Sequence, residues 1–154
     1  MAQSPSGTEE KKRMMHIPYA NEVGSIMYGM VCSQPYLEHS ISQISRFMAD
    51  PGENHWEALK WTLSYLKGTS KLGLMFQGQK ENSSQPLEGY VDTDFSGNLD
   101  TRKSITGYIF TLYGTAISWK ASFQSVVALS TTEAEFIAVT EAVKEAIWLK
   151  RLIT

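Results

Sequence analysis

The apolar positions of the chain change period partway along. In the first half they recur every three to four residues, the spacing of a helix with one buried stripe. Val23, Ile26, Met27 and Met30 mark a helix over 20–32. Pro35 interrupts the chain, and Leu37, Ile41, Ile44 and Met48 mark a second helix that stops before Pro51-Gly52. Trp56, Leu59, Leu63 and Leu66 form the cleanest stripe, with Asn54 placed to cap its start and Gly68 its end. The second half reads differently. Leu87–Val91, Ser104–Tyr113 and Thr115–Lys120 are short apolar runs bounded by turn residues, which suits an antiparallel meander. Ser125–Leu129 is expected to be a fourth extended piece. A long final helix follows. It opens on a capping box formed by Ser130 and Glu133. Phe136, Val139, Val143 and Ile147 are expected to be its buried stripe, widened by Ala138, Ala142 and Leu149.

These periods give an α+β fold in two parts. A polar stretch over 1–16 is expected to be disordered. A small helical module spans 17–76. The composition of 77–86 (Gln-Gly-Gln-Lys-Glu-Asn-Ser-Ser-Gln-Pro) reads as a linker. A strand-and-helix unit occupies 87–154, and its first strand is expected to be an unpaired edge open to self-association.

The chemistry concentrates in Gly89-Tyr-Val-Asp-Thr-Asp-Phe-Ser-Gly-Asn98. Strand side chains alternate, so Asp92 and Asp94 share a face. Two like charges on a strand expected to be buried are costly unless something binds them, and a divalent metal is the usual answer. Asp94 is also placed to cap the turn that follows. Glu135 comes on the final helix, on the side of Ala138 and Ala142. Asp92, Asp94 and Glu135 are the candidate metal-binding carboxylates, with Mg²⁺ or Mn²⁺ weakly held and no cofactor otherwise.

Composition narrows the classes. Asp and Glu total 16 against 14 for Lys and Arg, so nucleic-acid binding must rest on a local patch and is expected to be weak. Lys60, Lys67 and Lys71 near Trp61 and Tyr65 could track a phosphate backbone, although a solvated helix face explains them more simply. One cysteine, Cys32, excludes an intrachain disulfide and is expected to be buried. No apolar run reaches the roughly 18 residues of a membrane helix. The N-terminus lacks the apolar core of a secretory signal. His16, His39 and His55 have no ligand spacing and are expected at or near the surface. The four tryptophans are expected to anchor cores.

Residues 87–152 resemble the ribonuclease H region of Ty1/copia-type retrotransposon Pol polyproteins. The phrases that carry this are Gly89–Gly97, Asp100-Thr-Arg-Lys-Ser-Ile-Thr-Gly-Tyr-Ile-Phe110, Ala116-Ile-Ser-Trp-Lys120 and Val127-Ala-Leu-Ser-Thr-Thr-Glu-Ala-Glu-Phe-Ile-Ala138. The first half resembles the reverse transcriptase thumb just upstream, through Tyr19-Ala-Asn-Glu-Val-Gly-Ser-Ile-Met-Tyr28, Ser45-Arg-Phe-Met-Ala-Asp-Pro-Gly52, His55-Trp-Glu-Ala-Leu-Lys60 and Tyr65-Leu-Lys-Gly-Thr69. Ser33-Gln-Pro-Tyr-Leu37 departs from the family's usual Thr-Arg-Pro-Asp-Ile.

The resemblance implies a truncated ribonuclease H-like unit of three antiparallel strands and one long helix. It also implies a four-carboxylate, two-metal centre in which Asp92 and Glu135 match the first two ligands. No residue here matches the third or fourth, so the site is expected to be vestigial and the protein not an enzyme. The same block also resembles short frames named as secreted RxLR effectors of oomycete plant pathogens, although no Arg-x-Leu-Arg motif is present. That second likeness implies secretion and action on an unknown host protein in the plant cytoplasm or nucleus. A Pol remnant without export would sit in the cytoplasm or nucleus of its own cell.

Overall fold

The computed structural model describes residues 7–76, 87–98 and 100–153. The expected linker lies outside them, as do residues 1–6 and the side chain of Cys32. The chain divides into two compact units, Met1–Gly73 and Leu74–Thr154. No helix is long and apolar enough to cross a membrane among the described residues.

The first unit is helical. Its order is α1 (Thr8–Met14), α2 (Tyr19–Ser33), a 3-10 turn at Pro35–Leu37, α3 (Glu38–Ile44), a 3-10 turn at Ser45–Phe47 and α4 (Glu53–Gly68). The stripes converge on one core of Tyr19, Val23, Ile26, Met30, Leu37, Ile41, Ile44 and Leu59, with Trp56, Leu63 and Leu66 packed around it. The Tyr19 hydroxyl, buried with this cluster, donates to the Ile44 carbonyl at 2.8 Å. Desolvation pushes that phenol up to about 12.

Two expectations fail here. The polar start is not disordered over 8–14. It forms α1, too short to persist alone, and is tied to its unit by Lys11–Asp50 (3.5 Å) and Arg13–Glu53 (3.1 Å). The Glu10 carboxylate also accepts the backbone N–H of Glu53 at 3.0 Å, satisfying an orphan donor at the start of α4. Asn54 does not cap α4, because it already lies inside the helix. The cap is Gly52, whose N–H donates to Nδ1 of His55 at 2.8 Å.

His55 is therefore buried rather than superficial, with its ring stacked on Phe47 at 3.7 Å. An accepting Nδ1 puts the ring proton on Nε2, which has no partner among the described residues. Burial lowers the His55 pKa, against the opposing charges of Glu10 and Asp50. A lowered folded value means that the unfolded chain binds the extra proton more readily. Stability should thus be complete above about pH 6.5, the ordinary histidine value, and fall as pH drops from there toward the folded value. His55→Gln keeps an acceptor for the Gly52 N–H and removes the titration. Urea midpoints at several pH values between 7.5 and 5.5 should slope downward in the parent and less so in the variant. Equal slopes would exclude His55 as the source.

The second unit is a three-stranded antiparallel sheet in the order β1 (Leu87–Asp94), β2 (Ile105–Leu112) and β3 (Thr115–Phe123), with α5 (Thr131–Ile153) packed across β1 and β2. The β2–β3 hairpin turns at Tyr113 and Gly114, both at positive φ, as a two-residue hairpin of this twist requires. The ladder slips between Phe110 and Thr111, so Ile117 is the extra residue of a bulge. β1 is an edge strand, and most of its residues are exposed.

The expected fourth extended piece, Ser125–Leu129, is irregular chain. Its polar groups serve the neighbouring elements. Lys103 donates to the Ser125 carbonyl, and the Leu129 N–H donates to the Glu133 carboxylate (2.7 Å), whose own N–H donates to Ser130 Oγ (3.1 Å). The capping box is present, moved back one donor.

The buried stripe of α5 is not the expected one. Ala134, Ala138, Ala142 and Leu149 face the protein, while Phe136 is 73% exposed and Val139, Val143 and Ile147 are about half exposed. Phe110, Leu87, Tyr108 and Ile117 of the sheet fill the space against Ala142, Ala146 and Leu149. Small residues let the helix approach the sheet closely, and the large sheet side chains supply the volume.

Candidate functional site

β1 delivers Asp92 and Asp94 to the open edge of the sheet, and both are exposed. The expectation of two buried like charges does not hold: Gly89, whose ladder partner Phe110 packs against α5, alternates with Asp92 and Asp94, which stand on the open face of the sheet. Asp92 stands opposite Gly107 in the ladder, and one of its carboxylate oxygens accepts the N–H of Thr93 at 2.8 Å. Asp94 stands at the end of the strand. Its carboxylate occupies the space a side chain at Gly97 would need, and its carbonyl accepts the Gly97 N–H at 3.3 Å. Asp94 thus shapes the turn.

That turn is pinned independently. Asn98, buried, accepts the N–H groups of Asp100 and Thr101 through its side chain and pairs by backbone with Arg102 and Lys103. Ser104 receives the Ser96 N–H, and Thr93 donates its hydroxyl to the Ile105 carbonyl at 2.9 Å. Asn98, Ser104 and Thr93 were not singled out from sequence. The Asn two residues before Asp100 is an ordinary side-chain turn signal that could have found the first of them.

Glu135 lies one turn into α5, exposed, next to the buried Ala134. Asp92 and Glu135 both line one cavity of about 210 Å³, with Val91, Thr93, Ala138 and Val139. Asp94 is not among its walls. The donor set is two hard carboxylates, which suits a hydrated Mg²⁺ or Mn²⁺ held through one or two ligands. Among the described residues no group of three or more His, Cys, Asp and Glu is placed to hold a metal ion. Two of the expected core tryptophans, Trp61 and Trp148, lie at the surface. Lys60 pairs with Glu57 on its own helix, which favours the solvated-face reading of that lysine.

The fold and this strand-plus-helix carboxylate pair can now be set against known proteins. The chain is 52% identical over 97% of its length to the Retrovirus-related Pol polyprotein from transposon TNT 1-94 of Nicotiana tabacum, of which it spans 11%. It is 35% identical over its whole length to the Retrovirus-related Pol polyprotein from transposon RE2 of Arabidopsis thaliana, spanning 10% of that protein. It is 43% identical over 88% of its length to Secreted RxLR effector protein 161 of Plasmopara viticola, of which it spans 94%. No family model and no solved structure matches. The protein is an α+β, Pol-derived chain. It belongs to the family of copia-type retrotransposon Pol sequences. It spans about a tenth of the polyproteins it matches.

Proposed function

We propose that residues 17–76 derive from the thumb side of a reverse transcriptase and residues 87–154 from the opening part of a ribonuclease H-like domain, and that the chain does not hydrolyse nucleic acid. The observation that carries the ancestry is the shared cavity of Asp92 on β1 and Glu135 on α5. These are the two positions that the likeness to ribonuclease H assigns to metal.

Chemistry argues against activity. Two-metal hydrolysis needs ligands enough to hold both ions ~3.5–4 Å apart across the scissile phosphate. Two carboxylates leave a magnesium ion mostly hydrated and loosely held. What this pair does is concentrate a divalent cation weakly at an exposed strand edge. The expected result of incubating an RNA/DNA hybrid with the protein and Mg²⁺ or Mn²⁺ is no turnover. Cleavage that disappears in Asp92→Asn would overturn the reading. We place such a remnant in the cytoplasm or nucleus, with self-association through β1 as its simplest partner mode.

A second reading rests on a specific observation: the chain spans 94% of Secreted RxLR effector protein 161. On this reading a Pol-derived frame acts as a secreted effector that dampens defence or cell death inside a host plant cell. Tagged protein expressed in leaf tissue should then accumulate and suppress elicitor-triggered cell death. Accumulation without suppression counts against it.

A further inference from the structure

The helical unit carries a pocket that neither the carboxylate pair nor the Pol ancestry uses. Tyr36, Leu37, Ser40, Trp61, Thr62 and Tyr65 line a cavity of about 370 Å³. Its floor is fixed: Leu37 belongs to the hydrophobic core, and the buried Thr62 hydroxyl donates to the Ala58 carbonyl at 3.1 Å. Its walls are aromatic and open. Trp61 and Tyr65 stand four residues apart and so share one face of α4. Tyr36, on the 3-10 turn at Pro35–Leu37, meets Tyr65 with ring centroids 6.1 Å apart and planes inclined at 74°. The two tyrosines make adjacent walls of the pocket, and Trp61 lines it beside them.

None of the six lining residues carries a charge. The electrostatic character of the pocket is therefore that of its rings, whose faces are negative. Aromatic boxes of this kind are complementary to a cation too bulky and too weakly hydrated to prefer water, above all a quaternary ammonium group. A phosphate or carboxylate would meet aromatic walls with only hydroxyls and the indole N–H as donors, and no cationic side chain. A plain apolar occupant would gain area but not the electrostatic attraction. Trp61 is 76% exposed, so the box opens at the surface of the protein. A head group on the end of a long side chain of another polypeptide can reach it there.

We propose that Tyr36, Trp61 and Tyr65 form an aromatic cage for the trimethylammonium head of a trimethylated lysine on a partner polypeptide. The test is titration of the full chain with three short peptides of one sequence, followed through the Trp61 indole resonance, which is assigned by its absence in Trp61→Leu. The peptides carry trimethyllysine, unmodified lysine, or the neutral tert-butyl isostere of trimethyllysine. The trimethyllysine peptide is expected to give a saturable shift. The tert-butyl peptide should bind at least about five-fold more weakly, a cation–π difference near 1 kcal/mol. Trp61→Leu should abolish binding, read by calorimetry because the reporting indole is gone, and because Trp61 projects from the fold this variant should stay folded. Equal binding of the charged and neutral isosteres would reduce the pocket to an apolar groove and overturn the proposal. Free choline binding as tightly as the trimethyllysine peptide would overturn the assignment to a polypeptide. Absence of any shift with the trimethyllysine peptide would do so outright.

Discussion

Replacing Ala142 by leucine is expected to lower the melting temperature of the strand-containing unit by about 5–20 °C. Ala142 is 3% exposed and packs with Phe110 and Leu149. Three added carbons have no space there, and overpacking of this kind costs about 1–3 kcal/mol. In a unit of this size each kcal/mol moves the midpoint by about 4–8 °C. The same reasoning makes Val143→Ala nearly neutral, at about 0.5 kcal/mol or less, because Val143 faces solvent and alanine is the better helix former. The contrast is the informative part. If hydrophobic size decided the buried face, Val143→Ala would be the damaging change and Ala142→Leu would fill a groove. Thermal melts of the two single variants distinguish the alternatives, and a stabilised Ala142→Leu would mean that α5 is rotated from the orientation described above.

That rotation also shows where the sequence could be read and where it could not. Helix existence was legible everywhere but in the short polar α1, because the 3.6 period survives in α2, α3 and α4 whatever they pack against. In α4 the orientation was legible too. Trp56, Leu59, Leu63 and Leu66 all turn inward, and Leu59 is fully buried. In α5 the apolar residues go nearly all the way round, so period alone cannot choose a face. The choice fell to close packing, which favours the alanine column at 134, 138 and 142 over the larger stripe beside it. The edge position of β1 followed from counting strands, but the face that α5 covers did not. Asp92 and Asp94 stand on the other face, in water, and the cost that made them look metal-bound vanishes.

The pairing of Asp92 with Glu135 was legible only through the likeness to ribonuclease H, since 43 residues separate them and no spacing rule links a strand to a helix. His55 and the aromatic pocket were not legible at all. The first depends on Gly52 turning its N–H toward the ring. The second depends on Tyr36 arriving from a different element than Trp61 and Tyr65.

The larger effect is expected at Phe110. Its ring is 4% exposed and lies over Gly89, its partner across the β1–β2 ladder, and a methyl group on Gly89 would overlap it. The same ring packs against Ala142 and Leu149. The glycine contributes no side chain, and the alanine only a methyl group. Truncation in Phe110→Ala therefore opens a hollow whose other walls cannot close it, and the cost should fall in the range of about 3–5 kcal/mol typical of buried phenylalanine. Gly89→Val alone should also destabilise, by about 1–3 kcal/mol, because its branches collide with the ring. The two changes should not add. With the ring gone, valine at 89 occupies part of the vacated space, so the double variant should be more stable than Phe110→Ala by about 1 kcal/mol; with the Gly89→Val loss also cancelled, the coupling between the two sites is about 2–4 kcal/mol. Urea denaturation of the four proteins in this cycle measures it. If the double variant is less stable than the parent by the sum of the two single losses, the Phe110 ring and the Gly89 backbone do not share a site. The aromatic ring would then owe its burial to α5 alone, and β1 would be held to the sheet by its ladder without the cross-strand packing that usually fixes an edge strand in register.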